Sequence, residues 1–207
     1  MGKIKLTKGE LKRQRDSLKQ FRRYLPTLQL KKQQLQMKIL EARETLNERQ
    51  DVFNAKNAEI KSWVALLGDN HVDLTEWITP VDVTVNMVNI AGANVPVYDR
   101  IHFNKAEYDY ASTPFWIDVG IQEIRILMTY LAEIVVIKEQ IKILEKELRV
   151  TTQRVNLFEK VKIPECLNNV RVISIYLGDQ QANAVGVSKV AKKKLEVKNE
   201  ERALAGV

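Results

Sequence analysis

The chain is poor in cysteine, glycine and proline, and it has no long apolar run. Of its 207 residues one is a cysteine, Cys166, so no disulfide can form within the chain and a reducing compartment is expected. Eight glycines and five prolines favour long uninterrupted helices over a loop-rich domain. No stretch approaches the roughly 18 consecutive apolar residues of a membrane span. No apolar run follows Met1 either, so we expect neither a transmembrane helix nor a secretory signal.

Residue patterns that carry chemistry are also missing. There is no G-x-x-x-x-G-K-[ST] phosphate-binding loop and no G-x-G-x-x-G turn, so no nucleotide site is recognisable. His71 and His102 have no metal-ligating neighbours at a usual spacing. Cys166 lies in an apolar stripe and is interpreted as a buried small hydrophobe, and Glu145 and Glu147 are interpreted as solvated helix charges. We therefore expect no catalytic residue, no cofactor and no metal.

What the sequence does contain is a sustained heptad repeat over residues 7–67. Most a and d positions of this repeat are apolar, which predicts a helix about 90 Å long that supercoils with a partner helix. The a positions are Leu11, Leu18, Leu25, Lys32, Ile39, Leu46, Phe53, Ile60 and Leu67, and the d positions are Gln14, Phe21, Leu28, Leu35, Ala42, Arg49, Lys56 and Trp63. Pro26 is expected to kink this helix, and Gly68 is expected to end it.

A second heptad repeat begins after Thr113 and Pro114, which suit the cap and first turn of a helix. Its apolar positions are Leu127, Ile134, Ile141, Leu148 and Val155, partnered by Tyr130, Ile137, Leu144, Thr151 and Phe158. Near Pro164 the stripe resumes one residue late, as Ile163, Cys166, Val170, Ile173 and Leu177. A proline with a one-residue phase shift predicts a kink. Gly178 and Gly186 are expected to weaken the helix beyond.

The region between the two repeats has period-2 alternation instead. Val81, Val83, Val85 and Met87 form one alternating series, Val95, Val97, Ile101 and Phe103 form another, and residues 91–94 lie between them. This predicts a β-hairpin in which Pro96 makes the second strand an edge or late-starting strand. We expect the hairpin to cap one end of the coiled coil.

Together these patterns predict a mainly α fold, a long antiparallel two-helix coiled coil with a small β-hairpin region. The predicted domains are residues 1–68 (N-terminal helix), 69–112 (hairpin connector) and 113–207 (C-terminal helix). The predicted coiled-coil seam consists of Leu11, Leu18, Leu28, Leu35, Ile39, Leu46, Phe53, Ile60, Leu127, Ile134, Ile141, Leu148 and Val155. An intermolecular helix bundle is the alternative pairing, because each stripe requires some apolar partner.

Charge is unevenly distributed along the chain. Residues 1–32 hold eleven Lys or Arg and two acids, residues 189–207 hold six and three, and residues 69–112 hold two and seven. If the chain folds back on itself, its two basic termini meet and the acidic connector lies opposite, so we expect different partners at the two ends.

A basic surface with Phe21 and Tyr24 interleaved leaves nucleic-acid binding as an alternative function. A stand-alone coiled-coil scaffold is another.

Three stretches carry a resemblance to a known family. They are Thr7-Lys8 with Leu11, Leu18, Leu28, Lys31, Lys32 and Leu35; Thr151 to Glu159 followed by Val161, Ile163 and Pro164; and Lys189, Lys192, Lys194, Leu195 and Glu196. With the helix–hairpin–helix order, they make the chain similar to the D subunits of the V-type ATPases, which form the central rotor shaft. The chain departs from the family pattern at Gln33, where an acidic residue is common, and at residues 178–183, where an acid-rich run is missing.

The resemblance implies a non-catalytic shaft that transmits torque between a ring of catalytic and non-catalytic nucleotide-binding subunits and a membrane rotor. It implies a small companion stalk subunit, a membrane-rotor connector subunit, and a cytoplasmic location peripheral to the membrane. Both chain termini would insert into the ring. The candidate ring-contact residues are Lys8, Lys12, Arg13, Arg15, Lys19, Arg22, Lys192, Lys193 and Lys194.

Overall fold

The computed structural model describes residues 4–63, 74–107, 114 and 116–205. The elements in chain order are α1 (Lys8–Lys61), α2 (Thr75–Ile78), β1 (Pro80–Ile90), β2 (Ala93–Phe103), α3 (Ile117–Leu157), a π-helical turn (Phe158–Lys162) and α4 (Ile163–Ala205). The expected mainly α fold, with long terminal helices and an antiparallel hairpin between them, is confirmed.

Helix α1 begins with a side-chain cap and runs through a proline. The backbone N–H of Glu10 donates to Oγ1 of Thr7 at 3.3 Å, which satisfies one of the free donors of the first turn. Pro26 lies inside the helix, and the predicted kink there stays a prediction. The described helix ends at Lys61, and the predicted terminator Gly68 lies outside the described residues.

The hairpin turn is shorter than the four-residue connection, residues 91–94, that the sequence indicated. Ile90 pairs directly with Ala93, and the two turn residues, Ala91 and Gly92, have φ values of 50° and 81°. Two positive φ values are those of a type I′ turn, whose twist matches that of antiparallel strands. β2 therefore starts three residues before Pro96, so the late-starting alternative is wrong. In this two-stranded sheet both strands are edges, which is where a proline is tolerated.

The hairpin packs against the long helices near its turn. Ala93 and Val95 are buried in one cluster with Leu35 and Ile39 of α1 and Leu144 of α3. The turn of the hairpin thus packs against the sides of α1 and α3 in the unit of residues 30–152, and the expectation that the hairpin caps one end of the coiled coil stays a prediction. The physical reason for this packing is that β2 places small and β-branched apolar side chains on the face that meets α1 and α3.

The π-helical turn explains the phase shift read from the sequence. The N–H of Ile163 bonds to the carbonyl of Phe158, five residues back, where an α-helix would bond four back. This geometry inserts one residue into the helix. A heptad step of seven from Val155 would lead to residue 162, whereas the second stripe begins one residue later, at Ile163. The turn also comes just before Pro164, which has no N–H to donate. The kink predicted at Pro164 stays a prediction.

The C-terminal helix is continuous where weakening was expected. α4 runs unbroken through Gly178 and Gly186 to Ala205. At the start of the C-terminal half, the N–H of Ile117 in α3 donates to the carbonyl of Pro114 at 3.1 Å, while the predicted cap Thr113 lies outside the described residues.

The chain divides into two compact units: residues 1–29 with 153–207, and residues 30–152. In each unit a part of α1 runs antiparallel to the C-terminal helices. In the first, Gln14 contacts Asn169 and Phe21 contacts Phe158; in the second, Lys31 contacts Glu147 and Lys56 contacts Glu123.

None of the helices among the described residues combines the length and the hydropathy that crossing a membrane requires.

Candidate functional site

The cysteine, paired glutamates and described histidine have structural or surface positions. Cys166 is buried, and this burial raises the pKa of its thiol and keeps it protonated. Glu145 and Glu147 form ion pairs with Arg43 and Lys31 across the helices. His102 is exposed, while His71 lies outside the described residues. No group of three metal-ligating side chains occurs in the part of the chain that the structure describes.

The predicted seam residues are all buried or half-buried. Those that are buried are Leu35, Ile39, Ile60, Ile134, Ile141 and Val155. Those that are half-buried are Leu11, Leu18, Leu28, Leu46, Phe53, Leu127 and Leu148. Each unit therefore buries an apolar stripe between two helices, and this burial is the main stabilising contribution to helices of this length.

The polar d positions of α1 meet polar partners on the C-terminal helices. Nδ2 of Asn169 donates to Oε1 of Gln14 at 3.4 Å, in the first unit. In the second unit, Nε of Arg49 lies 3.2 Å from Oε2 of Glu133, and Nζ of Lys56 pairs with Oε2 of Glu123. Polar residues at d positions indicate that polar partners face them, but the heptad pattern does not show which residues these partners are.

The carboxylates of Glu123 and Glu59 raise the pKa of Lys56, which keeps this lysine charged. A protonated lysine at a heptad core position is tolerated because a carboxylate faces it across the helix contact. The seam thus has defined polar positions as well as an apolar stripe.

The nine candidate ring-contact residues are all exposed, but the two helices do not present them side by side. Gln14 of α1 contacts Asn169 of α4, whereas Lys192 is more than 20 residues further along α4. At 1.5 Å per residue this is about 35 Å of helix. The ion pairs found for these candidates lie within one helix: Arg13 pairs with Glu10 in α1, and Lys192 pairs with Glu196 in α4. The expectation that the two basic termini meet is therefore wrong, because α4 extends past the start of α1.

That extension is the most unusual surface of the described chain. Every residue from 178 to 201 is exposed, although the segment is helical throughout. Its apolar side chains include Val187 at 70 % exposure and Leu195 at 61 %. Within the described residues this segment therefore has no tertiary packing that buries its apolar side chains. In the sequence, the apolar heptad stripe ends at Leu177, which is consistent with the absence of a packed helix face beyond it.

Arg125 of α3 holds the base of the hairpin. Its Nε donates to the carbonyl of Trp77 at 3.0 Å, its Nη2 donates to the carbonyl of Asn104 at 2.6 Å, and its guanidinium lies 5.2 Å from the ring centroid of Phe103. One side chain thus joins α2, the end of β2 and α3. No sequence pattern indicated this residue, because two of its partners are backbone carbonyls.

Sequence comparison places these features in a family. The profile of the family described as the D subunit of ATP synthase matches residues 10–193. The V-type ATP synthase D subunit of Borreliella burgdorferi is 43 % identical over 199 residues, which cover 96 % of this chain and 98 % of that relative. The corresponding subunit of Chlamydia pneumoniae is 34 % identical over 199 residues, 94 % of each chain, and that of Chlamydia caviae is 34 % identical over 204 residues, 98 % of each. The chain therefore belongs to the D-subunit family of V-type ATP synthases.

Proposed function

We propose that this chain is the non-catalytic central rotor shaft of a V-type ATP synthase, transmitting torque between the nucleotide-binding ring and the membrane rotor. The observation that carries the proposal is the exposed helix of residues 178–201, which has apolar side chains and lysines but no partner within the described chain. Such a surface suits a segment enclosed by other subunits.

Two features of the helices favour a mechanical role. An antiparallel helix pair whose seam is apolar and whose flanks are joined by ion pairs resists twisting better than a single helix does. The exposed cations lie on two helices of different sequence, so a surrounding ring would meet a different charged surface at each angle. Sequential opening of nucleotide sites needs that kind of asymmetry.

The partners of this shaft are the catalytic and non-catalytic nucleotide-binding subunits, a small companion stalk subunit and a membrane-rotor connector subunit. The chain would work at the cytoplasmic side, peripheral to the membrane through the complex. Native mass spectrometry after gentle membrane solubilisation tests this assembly. One copy together with three catalytic and three non-catalytic subunits is expected, whereas recovery alone or with nucleic acid contradicts the proposal.

A charge-reversal experiment tests the ring contact. Lys192→Glu, Lys193→Glu and Lys194→Glu together should uncouple ATP hydrolysis from ion transport, or release the chain from the reconstituted complex, while circular dichroism shows that the isolated chain stays helical. The matched control reverses three exposed lysines of α3, Lys138, Lys142 and Lys146, with the same change in net charge. Coupled transport that is equally affected in both variants, or in neither, contradicts this assignment of the surface.

A further inference from the structure

Two cations occupy d positions of α1, where a coiled coil normally has apolar side chains. Arg49 pairs with Glu133 and Lys56 pairs with Glu123. The Lys56 and Glu123 side chains are 22 % and 25 % exposed and Glu133 is 17 % exposed, whereas Arg49 lies at the edge of the helix contact. Oε2 of Glu123 is sealed from solvent and lies against the ammonium of Lys56. Both carboxylates are therefore largely withdrawn from solvent between the two helices.

The other ion pairs between the two helices have the same polarity. Nζ of Lys31 lies 2.7 Å from Oε1 of Glu147, and Nη2 of Arg43 lies 2.6 Å from Oε1 of Glu145. Within the described residues, every ion pair that joins α1 to α3 therefore has its cation on α1 and its anion on α3. The charges on the facing surfaces of α1 and α3 are therefore opposite in sign, whereas a second copy of either helix would present charges of the same sign.

Apolar burial alone would not choose between possible partner helices, because the hydrophobic effect is not directional. The stripe of α1 could be covered equally by α3 or by the α1 of a second copy. In an in-register parallel pair of α1 helices, however, each Arg49 would face another Arg49 and each Lys56 another Lys56. Like charges at core positions are disfavoured, and a single polar core residue can fix the register and oligomeric state of a coiled coil.

We propose that the Arg49–Glu133 and Lys56–Glu123 pairs select pairing of α1 with α3 over pairing of α1 with the α1 of a second copy. Ion pairs removed from water add little stability compared with apolar side chains of similar volume, so their effect is on the choice of partner. The proposal concerns the isolated chain and does not depend on the function proposed above.

Replacing all four side chains by leucine separates specificity from stability. The variant R49L/K56L/E123L/E133L should keep or raise the thermal midpoint but should change from monomer to dimer or larger species in sedimentation analysis. The control R23L/K38L/E139L/E145L replaces one arginine, one lysine and two glutamates by leucine at exposed positions, two on each of the same helices, and should stay monomeric like the wild type. A seam variant that stays monomeric, a wild-type chain that dimerises, or equal association of both variants overturns the proposal.

A charge exchange gives a second, independent test. R49E/K56E and E123K/E133K each place like charges across the seam and should each lower the thermal midpoint or prevent folding. The chain carrying all four changes should recover a monomeric fold with a midpoint near that of the wild type. When the two half variants are unfolded and refolded together, a 1:1 complex should form, since each supplies the helix that the other lacks. No recovery in the four-fold variant and no complex in the mixture would contradict the selection.

Discussion

The aromatic rings of Phe21 and Phe158 lie with their centroids 5.1 Å apart and their planes at 38° to each other. Phe21 is a d position of α1, and Phe158 is the first residue of the π-helical turn. Such ring pairs contribute about 0.5–1.5 kcal/mol beyond the burial of their surface. The contact therefore fixes α1 to the C-terminal helices where the backbone hydrogen-bonding pattern changes.

Phe158→Ala should lower the free energy of unfolding by about 2–3 kcal/mol, somewhat less than for a fully buried phenylalanine because both rings are half-buried. Phe21→Ala should cost a similar amount, and urea unfolding of the double variant should reveal a coupling of about 1 kcal/mol. Tyr24→Ala, at a side chain that is 56 % exposed, is the control and should change stability by less than about 0.5 kcal/mol. Strictly additive losses at Phe21 and Phe158 would show that the ring contact contributes nothing.

Arg125→Ala should loosen the base of the hairpin, because two backbone carbonyls and the Phe103 ring lose their cationic partner. Hydrogen bonds to charged donors contribute about 1.5–3 kcal/mol each, so amide exchange in β2 should become at least roughly tenfold faster. Mass-spectrometric hydrogen exchange measures this directly. Arg100→Ala is the matched control, since Arg100 is 66 % exposed and its ion pair is with the adjacent Asp99. Unchanged exchange in β2 of the Arg125 variant would mean that the apolar packing near the turn holds the hairpin alone.

The exposed part of α4 should become more stable when its glycines are replaced by alanine. A Cβ at Gly178 or Gly186 meets no atom within 4 Å, and alanine is favoured over glycine in a helix by about 1 kcal/mol. Gly178→Ala with Gly186→Ala should therefore slow amide exchange in residues 178–201 of the isolated chain. Gly120→Ala is a contrasting variant, because its Cβ would lie 3.3 Å from the Trp116 ring, and it should not stabilise α3. Equal protection of residues 178–201 before and after the change would contradict this expectation.

Stability should fall in alkaline solution through Lys56. Its pKa is raised by Glu123 and Glu59, so the folded chain holds this proton more tightly than the unfolded chain does. The stabilising contribution is complete below the unfolded lysine pKa of about 10.4 and is lost as the pH rises through the higher pKa of the folded state. The free energy of unfolding should drop more steeply above about pH 10 in the wild type than in Lys56→Met. A constant difference between the two proteins from about pH 8 to about pH 11 is the result that this linkage does not allow.

Periodicity located the helices because apolar burial dominates their energetics, and the heptad positions of α1 and α3 were readable for this reason. The alternation in β1 reflects strand preference instead, because Val81, Val85 and Met87 are exposed. Single proline and glycine residues were weaker predictors of where a strand begins or a helix weakens. Pro96 did not delay β2, and Gly178 did not break α4, because each costs little compared with the elements around it.

The surfaces were harder to predict than the elements. Exposure of the candidate residues on α1 follows from their heptad positions, but the length of α4 beyond its last contact with α1 does not, and Lys192, Lys193 and Lys194 lie on that length. The partners of Arg49 and Lys56 depend on the register between two helices that are distant in sequence. A pattern along one helix shows that a polar position needs a partner, and only the folded pair shows that Glu133 and Glu123 supply it.

The π-helical turn of Phe158–Lys162 makes this part of the chain tolerant of a change in length. Removing one residue at exposed Glu159 would return the turn to α-helical spacing, so the apolar stripes before and after it would continue in one heptad phase. The same deletion at Glu145, within the regular helix, would rotate every following side chain by about 100° about the helix axis. Single-residue insertions and deletions among related chains should therefore concentrate at this turn, and heptads must be counted afresh after Lys162.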